Sequence, residues 1–203
     1  MKRAILIALF SLVCSAFAVE QAAVSSPQAT APSPYTPQLA FSYVYQGGQG
    51  VSGGDWFGMN GARGDVLFPL RQHWGVLAEF GGVHAGNMGP ASAPGLTLFT
   101  YMAGPRFWYP LRRGRETRPL TPFAQILFGG AHAGEGAFPS GSNLKSQADC
   151  FAMSVGGGLQ MHINRRILMR MIQADYLYTR LPNLYDNYQN NYRIGAGVVL
   201  RLR

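Results

Sequence analysis

From Gln38 onward the chain advances in steps of two. In its first run, 39–45, Leu39, Phe41, Tyr43 and Tyr45 share one parity, and Ala40, Ser42 and Val44 take the other. Successive side chains of a β-strand point to opposite faces, so this run reads as a strand with one bulky face and one small face. Seven more runs follow, at 56–68, 74–83, 96–109, 120–131, 151–163, 167–178 and 192–202, separated by Gly, Pro, Asn and charged clusters. Turn residues between short alternating runs are the signature of an all-β chain.

The two parities differ in chemistry. One carries Phe41, Tyr43, Val66, Phe80, Phe99, Ile126, Phe128, Leu159, Ile194 and Val198. The other collects Arg63, Asp65, Glu79, Arg106, Gln125, Gln160, Asp175 and Arg193 with most of the Gly, Ser and Thr. A soluble barrel would turn its charges to water and its bulk inward. Here the bulky face is too apolar for a wall in water, and a narrow eight-stranded interior suits small and charged groups. Composition agrees: 47% of residues are hydrophobic and 13% charged, against about 25% charged in soluble domains. No stretch beyond residue 18 has the 18 uninterrupted apolar residues of a membrane helix. Closed barrels are the other way to satisfy every backbone group in lipid. The reading is an eight-stranded antiparallel up-and-down transmembrane β-barrel.

The seventh run breaks the pattern. Gln173 and Asp175 share the inward parity, with Ile172, Ala174, Tyr176 and Tyr178 outward, yet Arg170 falls on the outward parity. Either a β-bulge resets the phase or Arg170 snorkels to an interface, and the sequence leaves both open.

Connection lengths set the orientation. Those at 46–55, 84–95, 132–149 and 179–191 are long and rich in Gly, Ser and Asn, and those at 69–73, 110–119 and 164–166 are shorter. Bacterial barrels have long extracellular loops and short periplasmic turns. Aromatic residues near run ends, such as Tyr43, Tyr45, Trp56, Trp74, Phe107, Tyr109, Tyr176, Tyr178 and Tyr192, suit interfacial girdles.

The N-terminus supplies the route. Met1 to Arg3 form a positive n-region, Ala4 to Val13 a short apolar run, and Ala16-Phe17-Ala18 an A-x-A cleavage site, which together read as a signal peptide over 1–18. Leu12 and Val13 before Cys14 argue against a lipoprotein signal. Residues 19–37 are rich in Ala, Ser and Pro and read as a disordered lead-in to the barrel at 38–203. Cleavage leaves Cys150 as the one cysteine, expected unpaired. It also lowers the net charge from +8 to +6. Much of that charge lies in Arg112, Arg113, Arg115 and Arg118 and reads as a solvated turn, not a nucleic-acid surface.

Charges in a lumen are costly unless paired. Arg63, Arg106 and Arg193 have Asp65, Glu79 and Asp175 as available partners, so the expectation is an ion-paired plug with no open pore. Removing Arg106 is expected to strand a carboxylate.

Other motifs carry less. Arg63-Gly64-Asp65 matches the cell-adhesion tripeptide but lies mid-strand. Gly156-Gly157-Gly158 lacks the lysine and helix of a phosphate loop. A lipid A deacylase needs His, Ser and a carboxylate at the outer rim. The candidates are His84, His132, Ser140, Ser142, Ser146 and Glu135, but a close His-x-Ser spacing is absent, because Ala133 and Gly134 follow His132. His73 and His162 are too scattered for zinc. No metal or cofactor motif is present.

The segments Pro122-Phe123-Ala124-Gln125-Ile126-Leu127-Phe128-Gly129-Gly130-Ala131 and Val155-Gly156-Gly157-Gly158-Leu159, the stretch from Arg170 through Gln173-Ala174-Asp175-Tyr176, and Gly195-Ala196-Gly197-Val198-Val199 resemble the OmpA-like outer-membrane β-barrel domain family. The resemblance spans roughly 38–203. It departs from the pattern at Leu200-Arg201-Leu202-Arg203, where many such proteins end in an aromatic residue, and no peptidoglycan-binding domain follows. The resemblance implies an eight-stranded barrel with a structural, adhesive or surface-interaction role and no catalysis. The expected setting is the bacterial outer membrane, as a monomer among outer-membrane lipids and lipopolysaccharide, after delivery by periplasmic chaperones and the barrel-assembly machinery. A lipid A-modifying enzyme, a narrow channel and a soluble lipocalin-like carrier are the alternatives.

Overall fold

In a computed structural model, residues 35–49, 56–86, 95–111, 120–140, 143–181 and 188–202 are described. The signal segment and the lead-in as far as residue 34 lie outside them, as do Ser142 and the Arg112–Arg118 cluster. The described strands are β1 (Gln38–Gln49), β2 (Trp56–Pro69), β3 (Trp74–Ala85), β4 (Leu96–Trp108), β5 (Leu120–Ser140), β6 (Asn143–His162), β7 (Ile167–Thr179) and β8 (Gln189–Arg201). Each pairs antiparallel with the next, and β8 pairs with β1 from Gln38↔Arg201 to Gly48↔Asn191, closing the barrel. Closure leaves no edge along the wall, which is the condition for crossing lipid with strands.

The turn end is built from local chemistry. Leu70 N and Arg71 N both donate to Trp74 O between β2 and β3. Between β6 and β7, Asn164 Oδ1 accepts from Arg166 N at 2.8 Å and Ile167 N at 2.7 Å. That is the way an Asx side chain mimics a backbone turn.

Parity sorts the side chains. Phe41, Tyr43 and Phe80 are 58%, 59% and 64% exposed, whereas Glu79 and Arg170 are 0% exposed. The exterior is therefore an apolar band, and the charges lie in the lumen. Space for large inward groups comes from glycines opposite them: Leu77 faces Gly104, Met102 faces Gly129, Arg106 faces Gly75, and Val44 lies between Gly61 and Gly195. At Gly61 a Cβ would stand 1.9 Å from Gly82 O, and at Gly129 2.0 Å from Tyr101 O, so neighbouring backbone already fills the position. This pairing lets large apolar groups share the lumen with the small and charged ones expected there. Val44, Met59, Val83, Leu98, Met102 and Leu177 belong to one buried apolar cluster, most of it towards the loop end. Ala40, Leu168 and Val199 form a smaller one at the turn end.

Two differences from the sequence reading stand out. Pairing passes from Arg170↔Gly197 to Gln173↔Gly195, so Met171 and Ile172 together oppose one residue of β8. Both are exposed, and the phase resets between them. The seventh run thus contains a bulge, and Arg170 points inward with Gln173 and Asp175.

The second difference lies at 132–149, which is not a loop. β5 continues to Ser140 and β6 starts at Asn143, with pairing down to Ser140↔Asn143 and a register shift between Gly134 and Phe138. β4 pairs with β5 only as far as Gly134, and β7 with β6 only from Ala152. The hairpin therefore runs beyond its neighbours as a two-stranded ribbon. Cys150 lies within β6 rather than at its start, is half-buried, and is a free cysteine.

Candidate functional site

All eight strands send a side chain into one polar layer across the lumen. Arg63 of β2 donates from Nη1 to Asp175 Oδ2 of β7 at 2.5 Å and lies 3.5 Å from Glu79 Oε2 of β3. Arg193 of β8 reaches Glu79 Oε1 at 3.1 Å and Ser154 Oγ of β6 at 3.0 Å. Arg106 of β4 donates from Nε and Nη2 to Gln125 Oε1 of β5 at 2.9 and 2.6 Å. Gln125 in turn donates to Asp175 Oδ1 at 3.3 Å, and Gln173 donates to both Asp175 oxygens. Arg170 forms a two-point pair with Asp65, through Nη1 at 2.6 Å and Nη2 at 3.1 Å, and also donates to Ser42 Oγ of β1.

The register explains why so many partners are needed. Asp65 and Glu79 are direct cross-strand neighbours pointing the same way. Like charges directly opposite destabilise a sheet. Here each carboxylate is flanked by two guanidiniums, Asp65 by Arg170 and Arg106 and Glu79 by Arg63 and Arg193. A two-point Arg–carboxylate pair adds directional hydrogen bonds to the charge attraction.

All six charges singled out from the sequence, Arg63, Asp65, Glu79, Arg106, Asp175 and Arg193, lie in this layer. The expected consequence of removing Arg106 changes, however. Arg106 Nη1 stands 3.6 Å from Asp65, outside hydrogen-bond distance, and Arg170 is the residue that holds Asp65. The sequence reading left the face of Arg170 open, and although it had Gln173 on the inward parity it did not join Arg170, Gln173, Ser42 or Ser154 to the charge network. The signal for Arg170 was the adjacent apolar pair Met171-Ile172, which cannot both face lipid without a bulge.

The rim is chemically thinner. His132 Nδ1 lies 2.7 Å from Asp149 Oδ1, its cross-strand partner in the extended hairpin. His84 Nδ1 lies 2.8 Å from Thr97 Oγ1 on the neighbouring pair of strands. Ser146 is exposed on β6. The side chains of Glu135 and Ser140 lie outside the described ones. At the turn end His73 packs against the rings of Phe107 and Tyr109, and His162 Nε2 lies 2.5 Å from Arg201. Arg63 and Asp65 of the adhesion-like tripeptide point into the lumen at 3% and 2% exposure, so no external receptor could read them.

Neisserial surface protein A aligns with 82% of this chain and 97% of its own, at 11% identity and a TM-score of 0.54. The likeness is one of fold, a closed eight-stranded antiparallel β-barrel. The Ail attachment invasion locus protein of Yersinia pestis is 18% identical over 81% of this chain and 98% of that one, with a TM-score of 0.47. The N-terminal β-barrel domain of Pseudomonas aeruginosa OprF is 12% identical over 80% and 97%, with a TM-score of 0.35. No protein-family model matches the sequence, and no curated protein matches it either. The barrel turns its apolar residues outward and joins its polar layer across the lumen.

Proposed function

We propose that this chain is a monomeric, non-catalytic protein of the bacterial outer membrane that carries the β5–β6 hairpin and the neighbouring connections at the cell surface. The filled interior supports this reading most. Leu77, Glu79, Leu127, Arg170 and Leu177 are each 0% exposed, so water has no path past them. An apolar layer beside an ion-paired one opposes ion passage twice, by excluding water and by occupying the charges. The barrel then acts as an anchor. Its exposed apolar band supports residence among lipids and lipopolysaccharide, reached through the barrel-assembly machinery and periplasmic chaperones.

Fractionation of cells tests the location, and unboiled against boiled gel migration tests the folded barrel. Recovery in the outer membrane with a heat-dependent mobility shift is the expected result, and a soluble, heat-insensitive protein would overturn the reading. Planar-bilayer recording should give no steady conductance.

The His132–Asp149 pair at the rim is the observation that favours a lipid A-modifying enzyme. A carboxylate can orient such a base, but a hydrolase of this type also needs a nucleophile beside it, and the contact made by His132 is with Asp149. Lipid A of the same mass with and without the gene is expected. A loss of acyl chains that depends on His132 would establish the enzyme instead.

A further inference from the structure

The charges outside the lumen are sorted by end. At the turn end, where Gln38 pairs with Arg201, the described cations are Arg71, Arg165, Arg166 and Arg201, and among the described residues no carboxylate stands with them. The described acidic residues lie elsewhere, Asp65, Glu79 and Asp175 in the lumen and Glu135 and Asp149 in the β5–β6 hairpin. By sequence the imbalance continues, with Arg112, Arg113, Arg115 and Arg118 against Glu116 in the 110–119 connection. The hairpin and the long connections have the opposite balance, Lys145 and Arg180 against Asp55, Glu135, Asp149 and Asp186.

Each described turn sets its arginine beside exposed apolar groups. Arg71 stands between Leu70 and Trp74, which are 51% and 41% exposed, and Arg165 and Arg166 stand between Ile163 and Ile167, which are 42% and 36% exposed. The three arginines are themselves exposed, and the ion pairs among the described residues include none of them. Arg201 is engaged instead, donating to His162 Nε2 at 2.5 Å. Apolar and basic groups side by side suit the boundary between hydrocarbon and headgroups, where an arginine stem lies along apolar surface and its guanidinium stays in the polar zone. The two turns are on opposite sides of the mouth, because β2–β3 and β6–β7 are four strands apart in a ring of eight. A folded partner on one side would miss the other turn, whereas a lipid leaflet surrounds the barrel and meets both.

We propose that the turn end is a docking rim for anionic phospholipids, with Arg71, Arg165 and Arg166 holding headgroup phosphates of the leaflet around it. This rests on the reading of the chain as an outer-membrane barrel and adds a choice of lipid at one end. A guanidinium can bind a phosphate through two parallel N–H···O bonds, and clustered arginines draw anionic lipid to a membrane surface. A zwitterionic headgroup also presents a phosphate but carries its own ammonium, so the surplus positive charge favours lipids of net negative charge.

Trp74, next to the 69–73 turn, reports on the lipid beside it. The protein is refolded into nanodiscs of phosphatidylcholine and phosphatidylglycerol in which one or the other lipid is brominated on its acyl chains, with Trp56→Phe and Trp108→Phe leaving Trp74 as the reporter. Brominated phosphatidylglycerol should quench Trp74 more than brominated phosphatidylcholine at the same mole fraction. That excess should be lost when Arg71→Gln, Arg165→Gln and Arg166→Gln are combined, and at about 1 M salt, where the screening length is about 3 Å. A Tyr192→Trp reporter on the outer face towards the loop end, with Trp74→Phe added, should be quenched equally by the two lipids. Native mass spectrometry of the unsubstituted barrel released from the same discs should retain phosphatidylglycerol above its share, a result that does not depend on the folding of the reporter variants. Equal quenching of Trp74 by the two lipids overturns the proposal and leaves the membrane reading standing, and quenching by neither overturns both. Equal quenching together with arginine-dependent sedimentation on peptidoglycan would assign the basic end to the cell wall instead.

Discussion

Substituting Arg170 with methionine should destabilise the barrel more than the same change at Arg106. Arg170 makes both short bonds to Asp65, at 2.6 and 3.1 Å, and a third to Ser42 at 3.3 Å. Its loss leaves Asp65 buried with a guanidinium at 3.6 Å and no hydrogen bond from it. Breaking a buried pair from one side costs about 3–5 kcal/mol, because the remaining charge is uncompensated. Arg106 bonds the neutral Gln125, so its loss leaves an amide oxygen unsatisfied at a cost of about 1–3 kcal/mol. With an m-value of about 2 kcal/mol/M, the urea midpoint should fall by about 2 M for Arg170→Met and by about 1 M for Arg106→Met. Fluorescence of Trp56, Trp74 and Trp108 in refolded micelles reports the transition. Combining Arg170→Met with Asp65→Leu should cost clearly less than the sum of the two single changes, because the stranded carboxylate is then gone. Equal midpoints for the two arginine variants, or strict additivity in the double variant, would refute the assignment of Asp65 to Arg170.

Three more outcomes are expected. Gly61→Ala places a Cβ 1.9 Å from Gly82 O and should abolish the folded, heat-modifiable band on gels, whereas Ala62→Gly on the outer face should leave it. Phe80→Lys, at the most exposed of the large apolar positions, should lower stability in lipid vesicles by about 2–4 kcal/mol, the range for a cation near the bilayer midplane; an unchanged urea midpoint would remove Phe80 from the lipid face. Replacing 135–146 with a short turn should leave heat-modifiability unaltered, since β4 and β7 pair with the hairpin only below it; loss of the folded band would make the ribbon part of the barrel's stability.

The strand count and both faces were legible from Gln38 onward because a wall between lipid and a packed lumen forces alternation on every residue. Tyr43 with Ala62, or Phe80 with Gly64, could each be assigned a face from its own run. Arg170 could not, because its partner Asp65 lies 105 residues earlier and the bulge at Met171-Ile172 breaks the parity by which a face is read. The ribbon at 132–149 was hidden for a different reason. Beyond its neighbours it encloses no interior, so nothing selects for alternation, and its Gly134, Gly136, Ser140 and Gly141 look like a loop. The apolar filling was in plain view as Leu67, Leu77 and Leu127 on the charged parity. Its compatibility with a narrow lumen depends on glycines supplied by other strands.

The layer to which every strand contributes also bears on how such a barrel can be assembled. Glu79 of β3 gains its nearer arginine only when β8, the last of the eight, arrives, and Asp65 of β2 is held by a residue of β7. A partial barrel has drawn charges towards a dry interior without yet supplying their counterparts. Closure by β8 therefore completes the charge pairing of the lumen in the same step as the wall.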